Sequence, residues 1–289
     1  MALDQYDVDK ETEKETYEVK RVDEMSFWEH LDELRKRLIR SFIALAITTI
    51  GIFSLGDWVF TNIIYAPRDP SFITYNMMCK LGALLNMSSL CIHPINFEIF
   101  TTEMGEPFFK QTQVAIVLGL IVASPYIFYQ FWLFIKPGLT QREIKASSGF
   151  VAICTSLFVT GVLFGYFIIA PFAISFLASY TIGGVGGKVT LDSYIGFMTM
   201  FTLPIGLVFE LPILIYFLSK LGLITPKFLR EYRRYTIVIL LIVAGVITPS
   251  PDMISQILVF IPLYTLYEVG IIVSARVAKQ RELDRAQYD

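Results

Sequence analysis

The chain has 289 residues, of which 54% are hydrophobic and only 17% charged, with a mean hydropathy of +0.57. Water-soluble chains carry about 25% charged residues, so much of this surface must face something other than water. The 24 basic and 26 acidic side chains leave a net charge of -2, without the basic excess that nucleic-acid binding calls for.

In chain order, residues 1–24 form an acidic stretch with Asp4, Asp7, Asp9, Glu11 and Glu13. It has no apolar core before a cleavage site, so it does not read as a secretory signal; we expect a disordered cytoplasmic tail. Ser26-Phe27-Trp28-Glu29 has the spacing of a capping box that opens a helix. Phe27, Leu31, Leu34 and Leu38 then fall on one stripe, while Glu29, Glu33 and Arg37 share another face. The pattern predicts a helix in the membrane interface that runs on into a span. The bland reading of Glu33 is an i,i+4 partner of Arg37, a contact of about 0.2–0.5 kcal/mol.

A crossing helix takes about 20 mostly apolar residues. Such runs occupy roughly 38–57, 110–134, 148–179, 194–219, 235–249 and 253–275. The fifth is short for a full bilayer and is divided from the sixth by Thr248-Pro249-Ser250-Pro251. The last two spans are therefore expected to form a hairpin that sits in thinned bilayer or leans on its neighbours. The reading is an all-α membrane protein of six spans. Its transmembrane domain covers 25–276 and is followed by a short tail at 277–289.

Lysine and arginine set the orientation. Seven precede the first span, three lie between the second and third (Lys136, Arg142, Lys145), five between the fourth and fifth, and four follow the sixth. The other side holds Arg68, Lys80 and Lys188. This asymmetry predicts both termini in the cytoplasm. Cys79 and Cys91 share the long outer loop, about 60–109, and can pair if that compartment is oxidising. Cys154, within the third span, reads as a small apolar residue.

Five motifs then appear in order. His30-Leu31-Asp32-Glu33-Leu34-Arg35 precedes the first span, and Ala66-Pro67 follows it. Phe131-Trp132-Leu133-Phe134-Ile135-Lys136-Pro137-Gly138-Leu139 ends the second, with Glu143 beyond. Phe209-Glu210-Leu211-Pro212 lies in the fourth, and Thr248-Pro249-Ser250-Pro251-Asp252 with Ser255-Gln256 joins the fifth and sixth. From about residue 26 to about 275 the chain resembles TatC, the receptor component of the twin-arginine protein translocase.

The resemblance implies a non-enzymatic transport component of the inner membrane. It would bind twin-arginine signal peptides of folded cargo and gather TatA/TatB-type single-span subunits in an oligomeric complex driven by the proton gradient, with no cofactor. A pair of guanidinium groups needs carboxylates where it arrives, and arginine–carboxylate contacts can be bidentate and charge-assisted. By resemblance Glu33 and Glu143 bind the arginine pair, Arg35 and Phe134 shape the same site, and Pro67 and Asp252 are structural. Thr248, Ser255 and Gln256 either dock a partner helix or hydrogen-bond within the hairpin.

Glu210 stands out without any resemblance. An acid at the centre of a span costs about 2.5–3.5 kcal/mol to insert, so it marks either function or a neutral carboxyl buried for structure. Gly161 and Gly165 form a GxxxG pattern that reads as internal packing rather than oligomerisation.

Two rival classes fit less well. A secondary transporter would show inverted repeats, and residues 38–179 and 194–275 share no self-similarity. An intramembrane enzyme needs paired acids or a Ser–His pair at one depth, and one mid-span acid is evident. His30 and His93 fall on opposite sides of the membrane, so they share no metal site.

Overall fold

The computed structural model describes residues 27–84, 91, 97–138, 149–179, 181–182, 185–186, 188–247 and 253–286. The acidic stretch at 1–24, Glu143, Thr248 and Asp252 lie outside the described residues.

The architecture is a bundle of long helices. α1 (Phe27–Ser54) is followed by a short helix α2 (Gly56–Val59), a π-turn and a 3-10 turn, then α3 (Ile73–Leu84). α4 (Glu106–Ile135) is unbroken. α5 (Phe150–Phe164) continues through a π-turn into α6 (Ala170–Ser179). α7 (Leu191–Val208) and α8 (Leu211–Leu221) form one interrupted rod. The small helix α9 (Pro226–Glu231) leads to α10 (Arg233–Ile247), and α11 (Met253–Ala286) ends the described chain.

Among the described residues, five segments are long and apolar enough to cross a membrane: Trp28–Ser54, Glu106–Ile135, Phe150–Ser179, Leu191–Leu221 and Gln256–Arg281. The expected fifth span does not meet that standard. α10 has 15 residues, about 22 Å at 1.5 Å per residue, against a hydrocarbon core of about 30 Å. It packs along α11, as the hairpin expectation requires. α1 shows no break where the interfacial segment was expected to give way to the span; 28 residues form one helix. Its stripe residues Leu31, Leu34 and Leu38 stay exposed, as do Phe42, Ile47 and Ile50. α1 packs chiefly against α4 and presents its remaining apolar surface outward.

Two glycines explain how the third and fourth spans meet. A Cβ on Gly161 would stand 2.9 Å from the Gly206 Cα and 2.7 Å from the Phe209 ring. One on Gly165 would overlap the Phe201 carbonyl oxygen and come within 3.0 Å of the Thr202 Cα. The GxxxG pattern therefore lets α5 and its π-turn approach the α7 backbone within the chain. The π-turn at Gly165–Ile169 loosens the helical ladder, and the Phe167 carbonyl accepts a hydrogen bond from the Thr74 hydroxyl at 2.6 Å. Phe158, Ile169, Ile195, Phe201 and Ile205, all essentially inaccessible, fill the surrounding core.

Tyrosines tie down the end of the bundle where α1 finishes. Tyr166 and Tyr194 donate to the carbonyls of Ile63 and Ile64 at 2.6 and 2.7 Å. Tyr75 donates to that of Pro67 at 2.5 Å, and Pro67 itself is fully buried. The turn after α1 is thus pinned through its own backbone oxygens, which need partners once buried. The sulfurs of Cys79 and Cys91 are bonded in this region, fastening the middle of α3 to Cys91 beyond it.

At the same end, Glu106 joins α4 to α7. A parallel pairing of Ile99 with Val189 and Phe100 with Thr190 brings the two approaches together. Thr190 and Ser193 form a reciprocal capping box on α7. The Glu106 carboxylate accepts from the backbone N–H groups of Thr102 and Glu103 and the Thr102 hydroxyl. Its other oxygen accepts from the N–H of Asp192 at 2.7 Å. One acid therefore serves two helix N-termini, whose partial positive charge favours it. Lys110 pairs with the Asp192 carboxylate beside it. Glu106→Gln is expected to lower the melting temperature in detergent more than Asp192→Asn does, because an amide nitrogen would face N–H donors; thermal unfolding of the two variants checks this.

Candidate functional site

At the opposite end, α1 and α4 present polar side chains to each other. His30, Glu33 and Arg37 share one face of α1 because spacings of three and four align on a helix. Gln130 and Phe134, four apart, form the matching face of α4. The Arg37 guanidinium donates to Glu33 Oε1 at 2.8 Å and to Gln130 Oε1 at 3.3 Å. The Arg37 and Glu33 side chains are 20% and 21% exposed, and Gln130 is buried. His30 stacks on the Phe134 ring, with centroids 4.4 Å apart and planes 22° from parallel.

This cluster can recognise a guanidinium. A carboxylate and an amide oxygen converge on one position, and Arg37 fills it. Asp32 is engaged elsewhere, paired with Lys36 at 3.0 Å on the exposed side of α1. Arg35 also lies on the exposed side. Of the four residues expected to form a signal-binding site, Glu33 pairs with Arg37, which reaches α4 at Gln130, Phe134 meets α1 through His30, Arg35 lies on the exposed side, and Glu143 lies outside the described residues. Sequence reading missed Gln130, His30 and the placing of Arg37. Gln130 stands one turn before Phe134, a polar residue in an otherwise apolar stretch of α4, and that was the available clue.

Glu210 occupies the gap between α7 and α8. Pro212 has no N–H to give the Val208 carbonyl, so the helix cannot run through. The Glu210 N–H turns back to Leu207 at 3.1 Å, and its carbonyl starts α8 by accepting from Ile213 and Leu214. Pro204, by contrast, sits inside α7 without interrupting it. The buried thiol of Cys154, on α5, lies near the Glu210 carboxyl. Glu210 Oε1 is buried and unpartnered.

In the last hairpin the Gln256 amide donates to the Leu241 carbonyl at 2.9 Å, so its N–H is engaged within the hairpin. Ser255 falls in the first turn of α11. At the hairpin's other end, Arg233 pairs with Glu268 at 2.8 Å, and Tyr264 donates to the same carboxylate at 2.6 Å.

The bundle and the motifs it carries define a multi-pass membrane protein of a protein-transport class. The family model described as Sec-independent protein translocase protein (TatC) matches residues 29–262. The TatC protein of Blattabacterium sp. subsp. Periplaneta americana (strain BPLAN) is 41% identical over 261 residues, covering 89% of this chain and 98% of that protein. TatC of Aquifex aeolicus (strain VF5) is 34% identical, covering 91% of this chain and 100% of that one. A crystal structure of the twin-arginine translocase receptor TatC in DDM superposes with a TM-score of 0.65 at 34% identity, covering 85% of this chain and 99% of the other. The chain belongs to the TatC family of protein translocase components.

Proposed function

We propose that this chain binds twin-arginine signal peptides of folded proteins at the end of the bundle formed by α1 and α4. That end faces the cytoplasm, with both termini there and the membrane being the inner one. The uneven placing of lysine and arginine supports the orientation. Six crossings agree with termini on one side, the short α10 spanning as half of the hairpin it forms with α11. The observation that carries the reading is Glu33, whose carboxylate is half-buried between two helices and already holds a guanidinium. Glu143 supplies a second carboxylate for the second arginine. Phe134 bounds the site through its stack with His30, and Arg35 stands outside it on the exposed side of α1.

The rest of the molecule then serves passage. Single-span TatA/TatB-type subunits dock along the α10–α11 hairpin near Thr248, Ser255 and Gln256, and Glu210 meets a partner or transported segment where the fourth span breaks. Pro67 and Asp252 hold the far end in shape. The energy comes from the proton gradient.

The test is binding of a signal peptide with an Arg-Arg pair to the purified full chain. Arginine presents a planar fork that matches a carboxylate, whereas lysine is a strongly hydrated point charge. Replacing both peptide arginines by lysine is expected to weaken binding by about tenfold or more, the loss of one charge-assisted hydrogen bond. Equal binding of the two peptides would overturn the reading.

A further inference from the structure

We infer that Arg37 is a specificity-determining residue, a resident guanidinium that an incoming signal arginine must displace from Glu33. The inference rests on the proposed receptor function and adds to it an internal competitor.

The geometry points to exchange. The Glu33 carboxylate is engaged: its Oε1 takes the Arg37 guanidinium at 2.8 Å. A ligand arginine therefore either replaces Arg37 or shares the carboxylate with it by taking the second oxygen, and sharing places two cations against one carboxylate. Replacement is cheap for two reasons. The Arg37–Glu33 contact is an i,i+4 pair within a single helix, a weak class of ion pair. The second anchor of Arg37, Gln130 Oε1 at 3.3 Å, belongs to α4, so Arg37 can release Glu33 and keep a hydrogen bond to a buried acceptor. Both partners retain about a fifth of their side-chain exposure, which leaves Glu33 reachable from solution.

The same exchange filters the ligand. A guanidinium displacing a guanidinium conserves the planar donor geometry at the carboxylate and the hydration given up on each side. An ammonium displacing it loses that geometry and must shed a tighter water shell. The resident arginine thus sets a threshold that arginine passes and lysine does not. The neighbouring acid does not bypass the filter, because Asp32 is paired with Lys36 on the other side of the helix.

The experiment measures the affinities of Arg-Arg and Lys-Lys signal peptides for full-length wild type, Arg37→Gln and Arg37→Lys in detergent. Removing the competitor is expected to tighten Arg-Arg binding by about threefold, the range of a partly exposed ion pair, and to tighten Lys-Lys binding more. The ratio between the peptides therefore falls in Arg37→Gln. Arg37→Lys keeps a positive charge for folding and is expected to lower the ratio too, because lysine is the weaker resident. Two outcomes would overturn the inference alone: Arg-Arg binding that weakens in Arg37→Gln while wild type still discriminates, or a ratio unchanged in both variants. The first would make Arg37 a support for Glu33. A wild type that fails to discriminate would overturn the receptor reading itself, and this inference with it.

Discussion

Gly165→Leu is expected to leave almost no folded protein in the membrane, and Gly165→Ala to lose about 1–3 kcal/mol, the range for overpacking a filled interior. The reason is backbone rather than side chain. A single added carbon at Gly165 overlaps the Phe201 carbonyl oxygen and crowds the Thr202 Cα, and neither can rotate aside as a side chain would. The π-turn that begins at Gly165 would have to withdraw from α7. The contacts of Ile169 and Phe201, both essentially inaccessible, would open with it. Gly196, on the facing helix α7, provides the control. A Cβ there has nothing within 4 Å, so Gly196→Ala is expected to be neutral or to stabilise by up to about 1 kcal/mol through helix propensity. Thermal unfolding in detergent, followed by size-exclusion chromatography, separates the two. Equal melting temperatures for Gly165→Ala and Gly196→Ala would show that the third and fourth spans do not meet as described.

Glu33→Gln is expected to weaken capture of an Arg-Arg signal peptide by about tenfold to a hundredfold, with insertion of the protein into the membrane unchanged. A hydrogen bond to a charged group contributes about 1.5–3 kcal/mol, which is that range of affinity. Glutamine keeps the length of the side chain and one oxygen acceptor, so the loss reports the charge. The variant also releases Arg37 from its partner, which adds an unpaired cation to a segment that already carries Arg35, Lys36 and Arg40. That repels a dicationic ligand and acts in the same direction. Site-specific cross-linking between the signal and α1 is the measurement. Cross-linking at the wild-type level would remove Glu33 from the site and leave Glu143 to carry it.

The two predictions draw on different layers of information. GxxxG was visible as a motif, but which helix it faced was not: Gly206 and Phe201 lie about forty residues away, and only packing brings them to Gly161 and Gly165. Glu33 was likewise legible as an acid at the start of the first span, and its pairing with Arg37 followed from helical spacing. The acceptor that makes the pair a site, Gln130, comes from another helix. Nothing in local periodicity connects residues 37 and 130.

Hydropathy alone located the long apolar segments, because insertion into a bilayer is decided by transfer of each segment largely by itself. The spans at Glu106–Ile135, Phe150–Ser179 and Gln256–Arg281 needed no tertiary information. The break at Glu210 was not fixed locally: a proline removes a donor at Pro212 and at Pro204 alike, yet α7 runs through Pro204 without interruption. Three contacts also depended on the folded chain. These are the meeting of Arg37 with Gln130, the use of Glu106 to cap a helix 86 residues away, and the approach of Cys154 to Glu210. Each joins partners far apart in the chain, and a polar group buried among helices finds its partner only once those helices have packed.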